Sequence, residues 1–175
     1  MNVAPDVHFA SPGASELLAT FGGASFEGGL YRLFAADQVP QWTQVTGNAF
    51  PEYSGRISSF GSDWLGRIFA VDSERIEDDQ PGVLMFEPGA GQVLEIPANF
   101  LDFHCNELIE SPDAALAREM YFEWRELDSQ PLSITECVGY EAPLFLGGSD
   151  TLENMKRGDM DVYWEICAQL LAQIR

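Results

Sequence analysis

The chain has 175 residues, 46% of them apolar and 12% aromatic, which suits a normally packed core and excludes a disordered chain. Twenty-eight acids face nine bases, and the formal net charge of −19 opposes nucleic acid and anionic membrane surfaces while favouring a basic protein partner. No apolar run approaches the ~20 residues of a membrane span, and Met1–Asp6 lacks the basic-then-apolar order of a secretory signal, so a cytoplasmic protein is expected.

Residues 1–13 hold two prolines and little periodicity, and read as an irregular lead-in. Ser15–Phe21 predicts a short helix stopped by Gly22-Gly23. The four glycines between Gly22 and Gly29 predict a loop, with neither a G-K-[ST] ending nor a GxGxxG, so no nucleotide site is expected there. Leu30–Phe34 alternates weakly and predicts a strand. Asp37 is placed to cap a helix through Trp42 and Val45 that ends before Gly47, with Pro40 in its first turn. Phe50-Pro51 marks extended backbone.

Arg56–Phe60 and Trp64–Val71 predict a hairpin turned by Gly61-Ser62-Asp63. Asp72–Gln80 is polar and acidic and predicts an exposed loop. Val83–Phe86 is a continuous apolar run, as in a central strand. Glu87–Gly91 is turn chemistry, and Gln92–Ile96 is the return strand, with Leu94 and Ile96 on one face.

Asn99 is placed to cap a helix whose stripe is Leu101, Cys105 and Leu108, with Phe100 and His104 beside it. Ser111-Pro112 restarts a helix, with serine as N-cap and proline at the first helical position. Its apolar stripe is Leu116, Met120, Trp124 and Leu127, its acidic face Glu119, Glu123, Glu126 and Asp128, and Pro131 ends it. Cys137–Leu146 predicts an apolar strand that breaks at Gly147-Gly148, where residues without Cβ allow positive φ or close approach. Asp150 and Asn154 follow in a polar loop. The last helix opens near Asp159 or Asp161 and places Tyr163, Ile166, Cys167, Leu170 and Ile174 at helical spacing.

These elements predict an α+β fold in which a mainly antiparallel sheet carries Tyr31, Phe60, Trp64, Val83–Phe86, Leu94 and the Cys137–Leu146 strand. Helices around 99–110, 112–128 and 160–174 pack on it. One compact domain is expected, with a sheet-rich half over 1–98 and a helical half over 99–175.

No catalytic frame stands out. Cys105, Cys137 and Cys167 lie in apolar patterns and read as reduced, buried thiols. His8 and His104 belong to no metal-binding spacing, and no G-x-S-x-G elbow occurs, so no metal, cofactor or enzymatic activity is expected. Carboxylate pairs such as Asp78-Asp79, Glu95 with Asp102, and Asp159 with Asp161 are expected by chance among 28 acids; a hydrolase using one of them is the lesser reading. Trp64, Gly66 and Arg67 read as core, bulge and buried counter-charge before they read as a binding surface. Asp150 and Asn154 suit a partner contact and an Asx-turn or cap equally well. Tyr163 and Trp164 point apart on a helix, so one of them is expected in the core.

Val138-Gly139-Tyr140, Pro143–Gly148, Asp150, Asn154, Asp159 and Val162-Tyr163-Trp164 together resemble the C-terminal signature of the GAD-like immunity proteins associated with bacterial type VI secretion DNase toxins. Upstream, Gly29-Leu30-Tyr31-Arg32, Phe50-Pro51 and Phe60–Arg67 continue the resemblance, carried by the order and spacing of the blocks. It implies an immunity protein that binds and inhibits a cognate basic toxin, a DNase, with no nucleic acid or membrane partner of its own. Asp150, Asn154, Asp159, Asp161 and Trp164 are then candidates for partner binding. Tyr31, Arg32, Trp64, Gly66, Arg67, Pro143, Gly147, Gly148 and Tyr163 are the structural signature, and residues 1–98 the GAD-like half. The alternative is an acidic α+β adaptor module with a partner that is not a toxin.

Overall fold

Strand-forming segments that follow one another closely in sequence also lie side by side in space. In the computed structural model, which describes residues 11–175, six strands pair antiparallel in sequence order. They are β1 (Ser25–Phe26), β2 (Tyr31–Leu33), β3 (Ile57–Asp63), β4 (Ile68–Glu77), β5 (Gln80–Glu87) and β6 (Gln92–Asn99). The fold is α+β, as the sequence predicts. His8 and most of the expected lead-in lie outside the described residues.

The centre of the sheet is buried on both faces. Ile68 pairs with Phe86 and Phe69 with Met85, and alternation sends the two pairs to opposite sides. On one side Phe86 meets Phe50, which meets Trp164 of the last helix. On the other, Phe69, Phe60 and Tyr31 meet Phe103, and Phe60 also meets Phe100. Burying each of these rings stabilises the fold by roughly 1.5–3 kcal/mol. The helices are α1 (Ala14–Phe21), α2 (Val39–Ala49), α3 (Phe100–Asp102), α4 (Leu108–Glu110), α5 (Pro112–Leu116), α6 (Arg118–Leu127) and α7 (Met160–Ile174), with α3 and α7 on opposite faces of the sheet. A separate two-stranded sheet pairs β7 (Glu136–Tyr140) with β8 (Met155–Asp159).

Several expected boundaries move. The β3–β4 turn lies at residues 64–67 rather than 61–63, because the Asp63 carboxylate accepts the backbone N–H groups of Leu65 and Arg67 and closes the loop there. Gly61 to Asp63 therefore stay in β3 and pair with β2, and Trp64 leaves the sheet. The acidic segment 72–80 is no loop. It continues β4 and turns at Asp78-Asp79, both with φ in the left-handed region, into β5. Leu94 in β6 is exposed. The expected strand 137–146 ends at Tyr140 and never joins the large sheet; Leu144–Leu146 is a 3₁₀ turn.

Helix α2 runs through Gly47 to Ala49, and Gln38 rather than Asp37 precedes it. The Asn99 side chain accepts the N–H of Asp102 and caps α3, as expected. A π turn over Phe103–Glu107 then adds a residue to the helical phase. Phe100 and Phe103 are the fully buried residues of this segment; of the predicted stripe Leu101 and Leu108 are half-buried against the core and Cys105 is exposed. The predicted helix over 112–128 is two helices, broken where Ala117 takes φ 50°. Leu116, Tyr121 and Trp124 are buried there and Leu127 is exposed. In α7 the buried face is Met160, Trp164, Cys167 and Leu171; of the predicted stripe Cys167 is buried and Tyr163 half-buried, while Ile166 and Ile174 face outward.

Candidate partner-binding surface

The C-terminal hairpin is pinned to the turn after β3. Val138 N–H donates to Trp64 O at 2.7 Å, and the Trp164 indole N–H donates to Gly66 O at 2.7 Å. Gly139 lets the Tyr163 ring lie against β7, where a Cβ would collide with the ring, and Tyr140 N–H donates to the Tyr163 hydroxyl at 3.3 Å. Tyr163 thus packs on Gly139 of β7. At the Gly147-Gly148 turn Gly147 has φ +91°, and a Cβ on Gly148 would collide with Ala142 O.

The five candidate contact residues separate by environment. Trp164 is 0% exposed, so its place in the contact set is corrected: the indole fills the core between Phe50 and the Gly66 carbonyl. Asn154 is committed to its own loop. It accepts from Ala142 N–H at 2.9 Å and donates to Ala142 O and Ser149 O, both at 2.8 Å. Asp159 is the N-cap of α7, accepting from Val162 N–H at 3.1 Å. Asp150 is exposed and accepts the Tyr140 hydroxyl at 2.7 Å, which fixes its direction. Asp161 is exposed as well, and partial burial and then the Asp159 charge raise its pKa. Asp150, Asp159 and Asp161 all face solvent, and Asp150 and Asp159 each keep one carboxylate oxygen clear of the bond that orients them.

Behind this surface lies a buried polar core. Asp63, 0% exposed, accepts Arg67 Nε at 2.6 Å, and Arg67 Nη2 donates to Ala115 O at 3.3 Å. Burial opposes the charge on Arg67, but Asp63 more than offsets it and holds the guanidinium protonated. Arg32 donates to Ser133 O at 2.8 Å, to Glu136 O, and to Asp63 O at 3.1 Å, and so ties β2 to β7. Trp64 donates from its indole to Leu116 O at 2.9 Å and stacks on Trp124. Burial pushes the Cys137 thiol up to about 12, so it is inert at neutral pH.

The nine bases are all committed. Arg56, Arg67, Arg75, Arg118, Lys156, Arg157 and Arg175 pair with carboxylates. Arg32 and Arg125 are held by backbone carbonyls. Among the described residues Glu107, Glu110, Asp113, Glu119, Glu123 and Glu126 have no cation partner, and they run together along α4 to α6. No group of three or more metal-ligating side chains gathers among the described residues, and no helix of the described residues is long and apolar enough to cross a membrane.

Residues 114–171 match the family described as the T6SS immunity protein Tdi1, C-terminal, a type VI secretion immunity family. The match covers α5 in part, α6, the β7–β8 hairpin and most of α7. The crystal structure of Atu4351 from Agrobacterium tumefaciens has the same fold, with a TM-score of 0.54 at 13% identity over 83% of this chain and 69% of that one. No curated relative matches the chain.

Proposed function

Starting from a C-terminal segment that carries a type VI secretion immunity region, we propose that the whole chain binds a cognate toxin and inhibits it, and that the toxin is a DNase. The family match carries the reading, and the net charge of −19 supports its mode. A nuclease presents a basic face to phosphates, and an acidic body seated on that face denies it to DNA. The committed bases strengthen the complementarity, since no free cluster of cations interrupts the acidic surface among the described residues. Asp150 in the hairpin loop, with Asp159 and Asp161 at the start of α7, are the carboxylates we assign to partner contact.

Co-expression with the toxin tests this. Cells carrying both proteins are expected to keep intact chromosomal DNA, and the two proteins to co-elute as one complex. Cells that lack this chain and still survive the toxin would overturn the reading. DNA degradation absent with toxin alone would overturn the DNase assignment.

A further inference from the structure

Away from the hairpin, an open groove of ≈ 610 Å³ lies between α1, the β1–β2 turn and the α4–α5 segment. This volume is within the roughly 300–1,000 Å³ of ordinary binding pockets. Its walls are apolar, with Leu17 and Phe21 on one side, Phe26 at one end, and Leu108, Ile109 and Leu116 opposite. Phe21, Phe26 and Ile109 remain 46%, 41% and 69% exposed. Exposed apolar side chains gathered around one concavity mark an interaction site more often than scattered ones do.

The polar groups of the groove narrow the occupant. His104 Nδ1 lies 2.7 Å from Phe100 O, which can only accept, so Nδ1 carries the proton and Nε2 accepts the Tyr31 hydroxyl at 2.8 Å. The floor is therefore saturated and asks nothing polar of a ligand. Arg118 is spent on Glu27 and on the Phe122 ring, so an anionic head group finds no free cation. The border is acidic instead. Glu27 is balanced by Arg118, whereas Glu107, Glu110 and Asp113, which have no cation partner, flank Leu108, Ile109 and Pro112 in the chain. An apolar trough with an acidic border fits a segment with large apolar side chains flanked by lysine or arginine, and disfavours fatty acids, nucleotides and phosphates.

We infer that this groove receives an apolar anchor of the cognate toxin, a short segment, helical or extended, whose large apolar side chains enter the trough while its flanking bases meet the acidic border. The inference rests on the toxin-binding reading above. It assigns the tightly held centre of the interface to α1, β1 and α4–α5, with the remaining acidic surface guiding approach.

The test measures binding of a catalytically silenced cognate toxin to wild type and to two double variants, at low and high salt. Phe21→Ser/Ile109→Ser alters exposed positions, and unchanged thermal unfolding confirms its fold. It is expected to weaken binding by roughly thirty-fold or more at both salt concentrations, since an apolar anchor is little screened. Glu110→Gln/Asp113→Asn is expected to slow association at low salt only. Tight toxin binding by wild type with full affinity in Phe21→Ser/Ile109→Ser would overturn the groove assignment and leave the immunity reading standing. Absence of toxin binding by wild type would overturn both.

Discussion

At His104 the fold decides which nitrogen carries the proton and then makes a second proton costly. Burial lowers its pKa from 6.5 to about 4, and the Phe100 carbonyl offsets only part of that. The sign follows from linkage. The unfolded chain takes up its proton near pH 6.5 and the folded chain only near pH 4, so this histidine costs no stability above 6.5 and favours unfolding as pH falls through that window. The slope reaches at most about 1.4 kcal/mol per pH unit. An NMR titration of the His104 ring should give a midpoint near 4, and a midpoint near 6.5 would refute its burial. Sequence placed this residue on a helix beside Cys105 but gave no sign of Tyr31, 73 positions away, as its partner. Asp150 and Asn154 are the matching case at the surface. Both readings of them were open in sequence, and only the loop geometry separates a carboxylate free to face solvent from an amide spent on Ala142 and Ser149.

Elements whose own residues decide their structure were legible; elements decided by a neighbour were not. Helix α1, the apolar run of β5, the turn after it and the Asn99 cap all carry local signals and stand where expected. β8 reads Met-Lys-Arg-Gly-Asp and has no strand pattern. It is a strand because β7 supplies its ladder and because Arg157 reaches Asp128 and Glu136. The β4–β5 hairpin turns on Asp-Asp, without the Gly that usually announces such a turn. Helix α7 has apolar residues at 162, 166, 170 and 174 and again at 160, 164, 167 and 171, so spacing alone could not choose its inner face. The Asp159 cap and the Gly66 carbonyl choose it. Trp164→Ala should therefore cost about 3–5 kcal/mol in urea unfolding, and Ile166→Ser, 50% exposed, within about 0.5 kcal/mol. Equal losses at the two positions would put the face elsewhere.

Over the whole molecule, charge was the most legible property and the interface the least. Composition alone gives −19, and the structure adds that the bases are occupied, so the excess acid stays outward. Association with a basic toxin should fall at least about tenfold in on-rate from low to high salt, as read by stopped-flow mixing. A flat response would remove long-range steering from recognition. The groove left no trace in the sequence, because its walls come from α1, β1 and α4–α5, and its lining residues read as ordinary core. Arg32 in β2 clasps the carbonyls of Ser133 and Glu136, and Trp64 and Gly66 receive N–H groups from Val138 and Trp164. Scissors placed at residue 114 would sever every one of these clasps. A truncated clone that fails to protect would then report a ruined scaffold, not a missing contact. Single substitutions on the exterior are the instrument that can map where the toxin sits.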